Sequence, residues 1–399
     1  MSLSQKFCLL VFTLLLIGPN SVFANQASED SVAKAESTET TKTTDDEDSG
    51  KKASEKPKDP NRGRFLPIPI FITEPAIGEG LGILLAYFHR KKDAPEKNVA
   101  SPSSIADISM EQSAPPTVTG VFAAYTSNET AIAGVGHMNS FKDDHIRFTG
   151  VLGVADINST FYVLDRPFKF NLQGLMIFQE TRFRIKDSRW FLGVGLSYLN
   201  ADNTFKVDLP DETPIDLFRT QFQNAGLAAK LAWDSRDNTS MPNKGQFLDL
   251  GLWRYDKNLG GDFDYWNTEL KLLSFHQLHE KFVLGLRLEY STISGQVPFF
   301  AVPWVTLRGI PAMRYQGEQV VVAEIEGRYY FRPKWAVLAF AGKGEVSSDF
   351  PGIDMLQDIH SWGVGGRYKI FEAQNVWIGL DIARGPEDTN WYIQIGQSW

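Results

Sequence analysis

The last nine residues of the chain, Trp391-Tyr-Ile-Gln-Ile-Gly-Gln-Ser-Trp399, restrict the fold more than any other segment. Read as an extended strand, they place bulky apolar side chains on one face and mostly polar or small residues on the other, namely Trp391, Ile393, Ile395 and Trp399 against Tyr392, Gln394, Gly396 and Ser398. This period of two, with tryptophan at both ends, is typical of a β-strand with one apolar face. We therefore expect a β-strand that runs to Trp399.

The same alternation recurs along residues 65–399, where we count sixteen strand-like segments. In the eighth segment, predicted at 219–236, Leu227, Ala229 and Leu231 share one face, while Lys230 and Asp234 share the other. A soluble sandwich directs its charged face to solvent, whereas a transmembrane barrel directs it to a water-filled lumen and keeps wide apolar and aromatic faces for lipid. Aromatic residues make up 13% of the chain, which favours the barrel. We predict an all-β fold, a transmembrane antiparallel β-barrel of about sixteen strands.

The lengths of the connections favour the same fold. The long connections at 207–218, 297–317 and 348–360 fall on one side of the predicted sheet, and short ones near 187–190, 279–281, 331–334 and 371–375 fall on the other. Outer-membrane barrels have this asymmetry, with short periplasmic turns and long external loops. The connection at 90–116 is an exception, because it is long and lies on the predicted periplasmic side.

Two segments precede the predicted barrel of residues 65–399. Residues 1–24 have the pattern of a signal peptide, with Lys6 ahead of an apolar stretch and Ala24 at a small-residue cleavage site. Residues 25–64 contain no aromatic side chain and are dominated by Ser, Thr, Lys, Asp and Glu, so we expect a disordered polar linker in the periplasm. Cys8 is the only cysteine and lies in the signal peptide, which excludes a disulfide from the processed chain.

Charge and motifs disfavour nucleic-acid binding and catalysis. The formal net charge of −8 becomes −9 when Lys6 leaves with the signal peptide, which argues against a nucleic-acid partner. His276 and His279 are three apart on a predicted strand and so face opposite ways, which disfavours a metal site. The glycine-rich stretches, such as 78–82, precede no helix that would bind phosphate. We expect no enzyme activity, no metal and no cofactor.

Three stretches resemble the bacterial surface antigen barrels of the BamA/TamA superfamily. Thr306-Leu-Arg-Gly-Ile-Pro-Ala-Met-Arg-Tyr315 is similar to the family's Arg-Gly-aromatic motif in the long loop before strand twelve, with Ile310 in the aromatic position. Gly379-Leu-Asp-Ile-Ala-Arg-Gly-Pro386, with the terminal strand, resembles its closing hairpin.

The third stretch, Trp233-Asp-Ser-Arg-Asp-Asn238 with Lys244-Gly245, resembles the family's turn motif. Its matching positions are Asp234, Arg236, Asp237 and Gly245. Members of the family generally carry periplasmic POTRA domains, and the segment before the predicted barrel is too short for one. The resemblance therefore implies a branch of the family without POTRA domains.

The resemblance further implies that the loop before strand twelve folds into the lumen. There Arg308, followed by Gly309, would pair with acidic side chains on the polar faces of strands twelve, thirteen and fifteen, for which the candidates are Glu326, Glu345 and Asp381.

The family's proposed mechanism implies a weak seam between the first and last strands. Pro67 and Pro69 have no N–H to donate and lie two residues apart, so both missing donors fall on one edge of strand one. Gly396 would loosen the same seam through its flexibility. The alternative is that 65–73 is a polyproline-like segment. Trp399 is expected to be the signal that the barrel-assembly machinery recognises, an interface tryptophan, or both.

The alternation and the connection lengths predict a barrel in the outer membrane of a Gram-negative cell, surrounded by outer-membrane lipid. The resemblance implies that this barrel aids insertion or passage of a polypeptide or lipid cargo. The alternatives are a passive diffusion channel, with the loop as its constriction, and a structural surface antigen without transport.

Overall fold

The computed structural model describes residues 64–89, 117–163, 166–208, 214–239, 241–350, 353–371 and 376–399. In these residues the chain forms one sheet of 16 strands in sequence order. The strands are β1 (Arg64–Glu74), β2 (Gly78–Phe88), β3 (Val118–Thr126), β4 (Ala131–Phe141), β5 (Ile146–Val163), β6 (Arg166–Arg184), β7 (Trp190–Asp208), β8 (Pro214–Asp234), β9 (Gly245–Tyr255), β10 (Tyr265–His279), β11 (Phe282–Gly295), β12 (Gln319–Arg332), β13 (Trp335–Phe350), β14 (Ile353–Phe371), β15 (Val376–Arg384) and β16 (Thr389–Ile395). Short 3-10 turns at Lys257–Leu259 and Phe299–Ala301 lie between strands.

The two faces of the sheet have opposite character, and the apolar face is the exposed one. On β12, Val321 and Ile325 are 37% and 46% exposed, whereas Glu324 and Glu326 are only 4% and 2% exposed. A soluble protein shows the reverse arrangement. Apolar side chains outside and charged side chains inside are what a barrel in lipid requires, so the predicted all-β barrel of sixteen strands is confirmed.

The alternation of strand direction gives the barrel two distinct mouths. Connections after odd-numbered strands lie at one end, which we call the far mouth. Connections after even-numbered strands lie at the other end with Arg64 and Trp399, and we call this the terminal mouth. Every consecutive pair of strands shares a ladder, but in the described residues β1 and β16 share none, although they lie side by side. We call this junction the seam.

Two hairpins, β7–β8 and β13–β14, are longer than predicted. The β7–β8 ladder continues until Asp208 lies opposite Pro214, and the β13–β14 ladder until Phe350 lies opposite Ile353. The predicted long connections at 207–218 and 348–360 are therefore wrong in their bounds. The backbone bonds of a hairpin need no apolar face, so a ladder can continue where the apolar alternation ends. The third long connection is confirmed, because it joins Gly295 to Gln319.

The predicted signal peptide at 1–24, the linker at 25–64 (apart from Arg64) and the connection at 90–116 lie outside the described residues.

Candidate functional site in the barrel lumen

Arg308, in the connection between β11 and β12, extends into the lumen. Its Nε donates to Oε1 of Glu324 at 2.9 Å, and its Nη1 donates to Oδ2 of Asp381 at 3.0 Å. Its Nη2 lies 3.0 Å from Oε2 of Glu326. The guanidinium carbon stands 3.4 Å from the ring centre of Phe340. Three strands, β12, β13 and β15, therefore hold one side chain of the loop.

This arginine is buried together with its partners. Arg308 is 7% exposed and Asp381 is 0% exposed. Burial alone would lower the pKa of the Arg308 guanidinium, but the carboxylates of Glu324, Glu326 and Asp381 raise that pKa above its ordinary value. The arginine therefore stays charged, and charge-assisted hydrogen bonds anchor the loop.

A second arginine, which the sequence analysis missed, holds the same loop from β11. Arg287 Nη1 donates to the carbonyl oxygen of Thr306 at 3.1 Å, and Nη2 donates to Oγ1 of Thr306 at 2.6 Å. Nη1 also bonds Glu324 at 3.2 Å, and Nη2 bonds Glu289 at 2.7 Å. Glu324 is thus shared by Arg287 and Arg308. The signal for Glu324 was present, because it lies two residues before Glu326 on the same face of β12.

The last residues of the chain also enter the lumen and join this network. Arg308 Nη1 and Arg367 Nη2 each donate to Oγ of Ser398 at 3.0 Å. Trp399 Nε1 donates to Oε1 of Glu324 at 3.0 Å, and its ring is stacked on that of Phe275, with 5.6 Å between centroids.

The prediction of a strand running to Trp399 is therefore wrong at its end. β16 stops at Ile395, and Gly396 adopts a left-handed conformation with φ of 75° that redirects the chain. Trp391 remains on the outer face at 44% exposure, but Trp399 does not share that face. The buried charges inside the barrel provide hydrogen-bond partners that a continued outer strand would lack. Gly396 thus ends the strand, in place of the predicted loosening within it.

Glu345 is not a partner of Arg308, contrary to expectation. It lies on the outward face of β13, where its Oε2 is 3.5 Å from Nζ of Lys343, and both side chains are 46% exposed. The inward face of β13 carries the neighbouring residues of opposite parity, including Phe340. Near the far mouth, the polar face of β13 is therefore the outer one. The assumption that the polar face of a strand points into the lumen fails there.

The turn motif forms the connection between β8 and β9 at the terminal mouth. Asp234 accepts from Nε of Arg236 at 2.9 Å, and Oδ1 of Asp237 accepts the backbone N–H groups of Asn243 and Lys244 at 3.0 and 3.2 Å. Gly245 has φ of 102°, and a Cβ there would collide with the carbonyl oxygen of Ser235. The motif residues therefore fix the shape of this connection.

The shaped connection reaches across the terminal mouth to β12. Arg328 on β12, 1% exposed, donates to the carbonyl oxygen of Pro242 and to Oε1 of Gln397, the latter at 2.8 Å. Tyr330 donates to Oδ1 of Asn243 at 2.8 Å. One arginine therefore links the β8–β9 connection with the C-terminal residues.

The lumen loop also bridges the two sides of the seam. At the end of β1, Oε1 of Glu74 accepts the N–H of Ala312 at 2.8 Å. On β16, the hydroxyl of Tyr392 accepts the N–H of Gly309 at 2.9 Å, and Nδ2 of Asn390 donates to the carbonyl oxygen of Gly309 at 3.1 Å. The loop thus binds both edges of the seam from inside the barrel.

Pro67 and Pro69 lie on β1, which pairs with β2 along its whole length, from Arg64 opposite Phe88 to Glu74 opposite Gly78. Residues 65–73 are therefore a strand and not a polyproline-like segment. Because β1 has a ladder on one side only, both prolines lie on an edge strand, the place in a sheet where proline is tolerated.

In the described part of the chain, no group of three or more His, Cys, Asp or Glu side chains is arranged to hold a metal ion. No helix among those residues is long and apolar enough to cross a membrane.

Comparison with known proteins gives both a domain and a fold. Residues 156–302 match the Omp85 superfamily domain. No curated protein sequence matches the chain. Among solved structures, BamA from Haemophilus ducreyi lacking POTRA domains 1-3 is 11% identical, with a TM-score of 0.56 over 84% of this chain and 70% of that one.

CdiB from two organisms is similar as well. CdiB from Escherichia coli is 11% identical, with a TM-score of 0.54 over 82% of this chain and 61% of its own. CdiB from Acinetobacter baumannii is 10% identical, with a TM-score of 0.51 over 83% and 59%. The chain thus spans about three fifths of the CdiB chains, and at these identities the likeness shows the fold.

Fold and lumen site together define an outer-membrane β-barrel with an anchored internal loop. Within that class, residues 156–302 match the Omp85 superfamily domain, and the fold of the chain is similar to those of BamA and CdiB.

Proposed function

We propose that this barrel aids the insertion of polypeptide or lipid into the outer membrane, or its passage across it, and that the cargo uses the seam between β1 and β16. The proposal rests on one observation. The seam is the junction of the sheet where no ladder is found in the described residues, and hydrogen bonds to the lumen loop bridge it instead. Such a junction opens without the loss of a backbone ladder.

The packing of the loop supports this function over passive diffusion. Phe300, 2% exposed, is stacked on Phe222 of β8 with 4.7 Å between ring centres. Phe299 packs on Phe161 of β5 at 4.9 Å, and Trp304 is 5% exposed. The loop therefore packs aromatic side chains against strands in the far half of the lumen, where a diffusion channel requires water.

Single-channel conductance of the reconstituted barrel tests the proposal, with the wild type compared with a deletion of residues 298–316. The proposed function predicts a small, flickering conductance that widens in the deletion, because the loop blocks the lumen and binds both seam edges. A large, steady conductance that the deletion hardly changes would show a passive diffusion channel and would contradict the proposal.

A further inference from the structure

The inner surface of β1–β4 is apolar, which is unusual for the lumen of a barrel in the outer membrane. Nine described apolar residues line it, each at most 8% exposed, and we call this set the apolar wall: Ile68, Ile70, Ile72, Leu84, Ala86, Val118, Phe122, Ile132 and Met138. Among the described inward side chains of these four strands, the polar ones lie at strand ends, at Glu74, Thr126 and Ser140.

The inner surface of β8–β15 has the opposite chemistry. It carries a set of buried or half-buried ionic side chains that we call the charged wall: Lys230, Asp249, Glu269, Lys271, Arg287, Glu289, Glu324, Glu326, Arg328, Arg367 and Asp381. Most of them pair with one another, as Lys271 does with Glu289 at 3.2 Å. The lumen is therefore amphipathic, with one apolar side and one ionic side.

The apolar wall begins at the seam. β1 is apolar on both faces, with Phe65 and Phe71 exposed outward at 76% and 41% and Ile70 and Ile72 buried inward. Its free edge therefore presents apolar surface to the bilayer and to the lumen alike. The opposite edge differs, because β16 turns Asn390 and Tyr392 inward and Trp391 outward. An apolar group that passes around the edge of β1 stays on apolar surface throughout.

The lumen loop covers this wall in the structure. Phe300, Trp304 and Met313 of the loop belong to the same buried cluster as Ile70 and Leu84. Displacement of the loop therefore frees the seam and uncovers the apolar wall in one movement, since Gly309 and Ala312 of the same loop bind β16 and β1.

We propose that the cargo is a membrane phospholipid, with its acyl chains on the apolar wall and its polar headgroup toward the charged wall. This inference rests on the proposed function and specifies its cargo. An amphipathic lumen that opens to the bilayer at an apolar edge matches a molecule with an apolar and a charged end. An extended polypeptide fits less well, because its peptide groups would lie unpaired against the apolar wall, and a buried polar group without a hydrogen-bond partner is costly.

Lipid scrambling in proteoliposomes tests the inference. Vesicles of phosphatidylethanolamine and phosphatidylglycerol contain a trace of phosphatidylethanolamine with a fluorescent headgroup, and dithionite destroys the fluorescence of the outer leaflet. We expect the wild-type barrel to move the inner-leaflet probe outward and the deletion of 298–316 to do so faster. Absence of scrambling from both proteins overturns the inference.

Matched substitutions test whether the phospholipid moves along the apolar wall. Ile70→Thr places a hydroxyl on the apolar wall, and Ile132→Thr is a second such variant. Ile293→Thr is the control, since Ile293 is buried to the same degree, 6% exposed against 5% for Ile70 and Ile132, but lies on β11 across the lumen. We expect both wall variants to slow scrambling about tenfold, equivalent to roughly 1.4 kcal/mol of barrier, with the control unchanged. Equal rates for all three variants overturn the inference.

Two further experiments distinguish a failure of the lipid inference from a failure of the proposed function. A disulfide between Ile70→Cys and Gln394→Cys locks the seam, and undiminished scrambling in the locked protein would contradict the seam route itself. In a parallel assay, an unfolded barrel protein is diluted from urea onto the same vesicles. If Ile70→Thr slows its insertion but leaves scrambling unchanged, the seam function stands with polypeptide as cargo, and the lipid inference is overturned.

Discussion

Arg308 and Glu324 form the centre of a compact ionic network, in which two arginines and the indole of Trp399 share one carboxylate group. A buried ion pair contributes little net stability compared with apolar packing, because desolvation opposes the attraction. The network is instead specific in position, since its bonds fix the loop against β11, β12 and β15. At the scale of single residues we therefore expect loss of one partner to release the loop more than to unfold the barrel.

Replacement of the loop arginine tests the network. Arg308→Ala removes the ion-pair partner of Glu326 and one of the two arginines that pair with each of Glu324 and Asp381. Breaking a buried pair in this way costs about 3–5 kcal/mol. We expect a lower heat-modifiability midpoint on a semi-native gel and a wider conductance. Arg219→Ala is the control, because its pair with Asp202 is solvent-exposed, and such pairs contribute about 0–1 kcal/mol. Equal midpoints and conductances for Arg308→Ala and the wild type would refute the anchoring role.

Deletion of Trp399 addresses the C-terminus. The deletion removes the bond to Glu324 and the stacking on Phe275, and it also removes the terminal aromatic residue that the barrel-assembly machinery is expected to recognise. We expect less folded protein in the outer membrane, measured by the heat-modifiable fraction of a membrane preparation. The substitution Glu324→Gln, which leaves the terminal residue in place, separates the two effects. If only recognition matters, this variant accumulates normally while the deletion does not. Wild-type levels of the deletion variant would exclude the signal role.

At the scale of elements, the alternating sequence predicted the number of strands but not where the chain leaves them. The apolar face of Trp391, Ile393 and Ile395 is interrupted at Gln397 and resumes at Trp399 in the sequence, yet β16 stops at Ile395. The cause is non-local, because Asp381, Glu324 and Glu326 on other strands capture the last residues. No pattern within residues 391–399 shows those partners.

The candidate site was predicted only in part, because it also depends on contacts between distant parts of the chain. The resemblance placed Arg308 in the lumen near Glu326 and Asp381, and the structure has both contacts. It does not show which strand face is inward at the end of a long strand, so Glu345 was misplaced. Arg287 was missed because its role depends on a loop that folds across the lumen, which strand alternation does not encode. Glu324 was missed although it shares the inward face of Glu326.

The connection between β8 and β9 yields a prediction about backbone shape. Gly245→Ala places a side chain at φ of 102° and in collision with the carbonyl group of Ser235. Gly260→Ala is the matched control, because φ is 89° there but open space surrounds the new methyl group. We expect the control to lose about 1–2 kcal/mol from backbone strain alone and Gly245→Ala to lose more. Urea unfolding in vesicles measures both. A smaller loss of stability for Gly245→Ala than for Gly260→Ala would show that the close approach of Ser235 does not require glycine at this position.

At the scale of the whole molecule, one loop performs two tasks. Its arginine binds β12 and β15, while the next residues bind β1 and β16 across the seam. The occupancy of the lumen and the state of the seam are therefore coupled, since neither set of bonds survives withdrawal of the loop. Arg328 of the charged wall links the β8–β9 connection with the C-terminal residues at the terminal mouth.

The coupling between the lumen loop and the seam predicts that loss of a single hydroxyl group changes the frequency of channel opening. Tyr392→Phe removes the acceptor of the Gly309 N–H and leaves the ring in place. We expect more frequent opening events in single-channel records, with the folded fraction unchanged, because the bond lies between loop and seam and not within a ladder. Tyr330→Phe, which loses a bond to Asn243 at the terminal mouth, is the control and should leave the opening frequency as in the wild type. Equal opening frequencies for Tyr392→Phe and the control would contradict the coupling.

Cysteine crosslinking across the seam tests whether the lumen loop holds β1 and β16 together and whether the cargo passes between them. Ile70→Cys is paired with Gln394→Cys in the folded, membrane-embedded protein, with Ile68→Cys and Ile72→Cys as partners in the neighbouring registers. We expect at least one pair to crosslink in the wild-type background. We also expect Arg308→Ala to lower the yield of that crosslink by releasing the loop, and the crosslink to block transport until it is reduced. Failure of all three registers to crosslink, or full transport by the crosslinked protein, would contradict a seam that the lumen loop holds and the cargo uses.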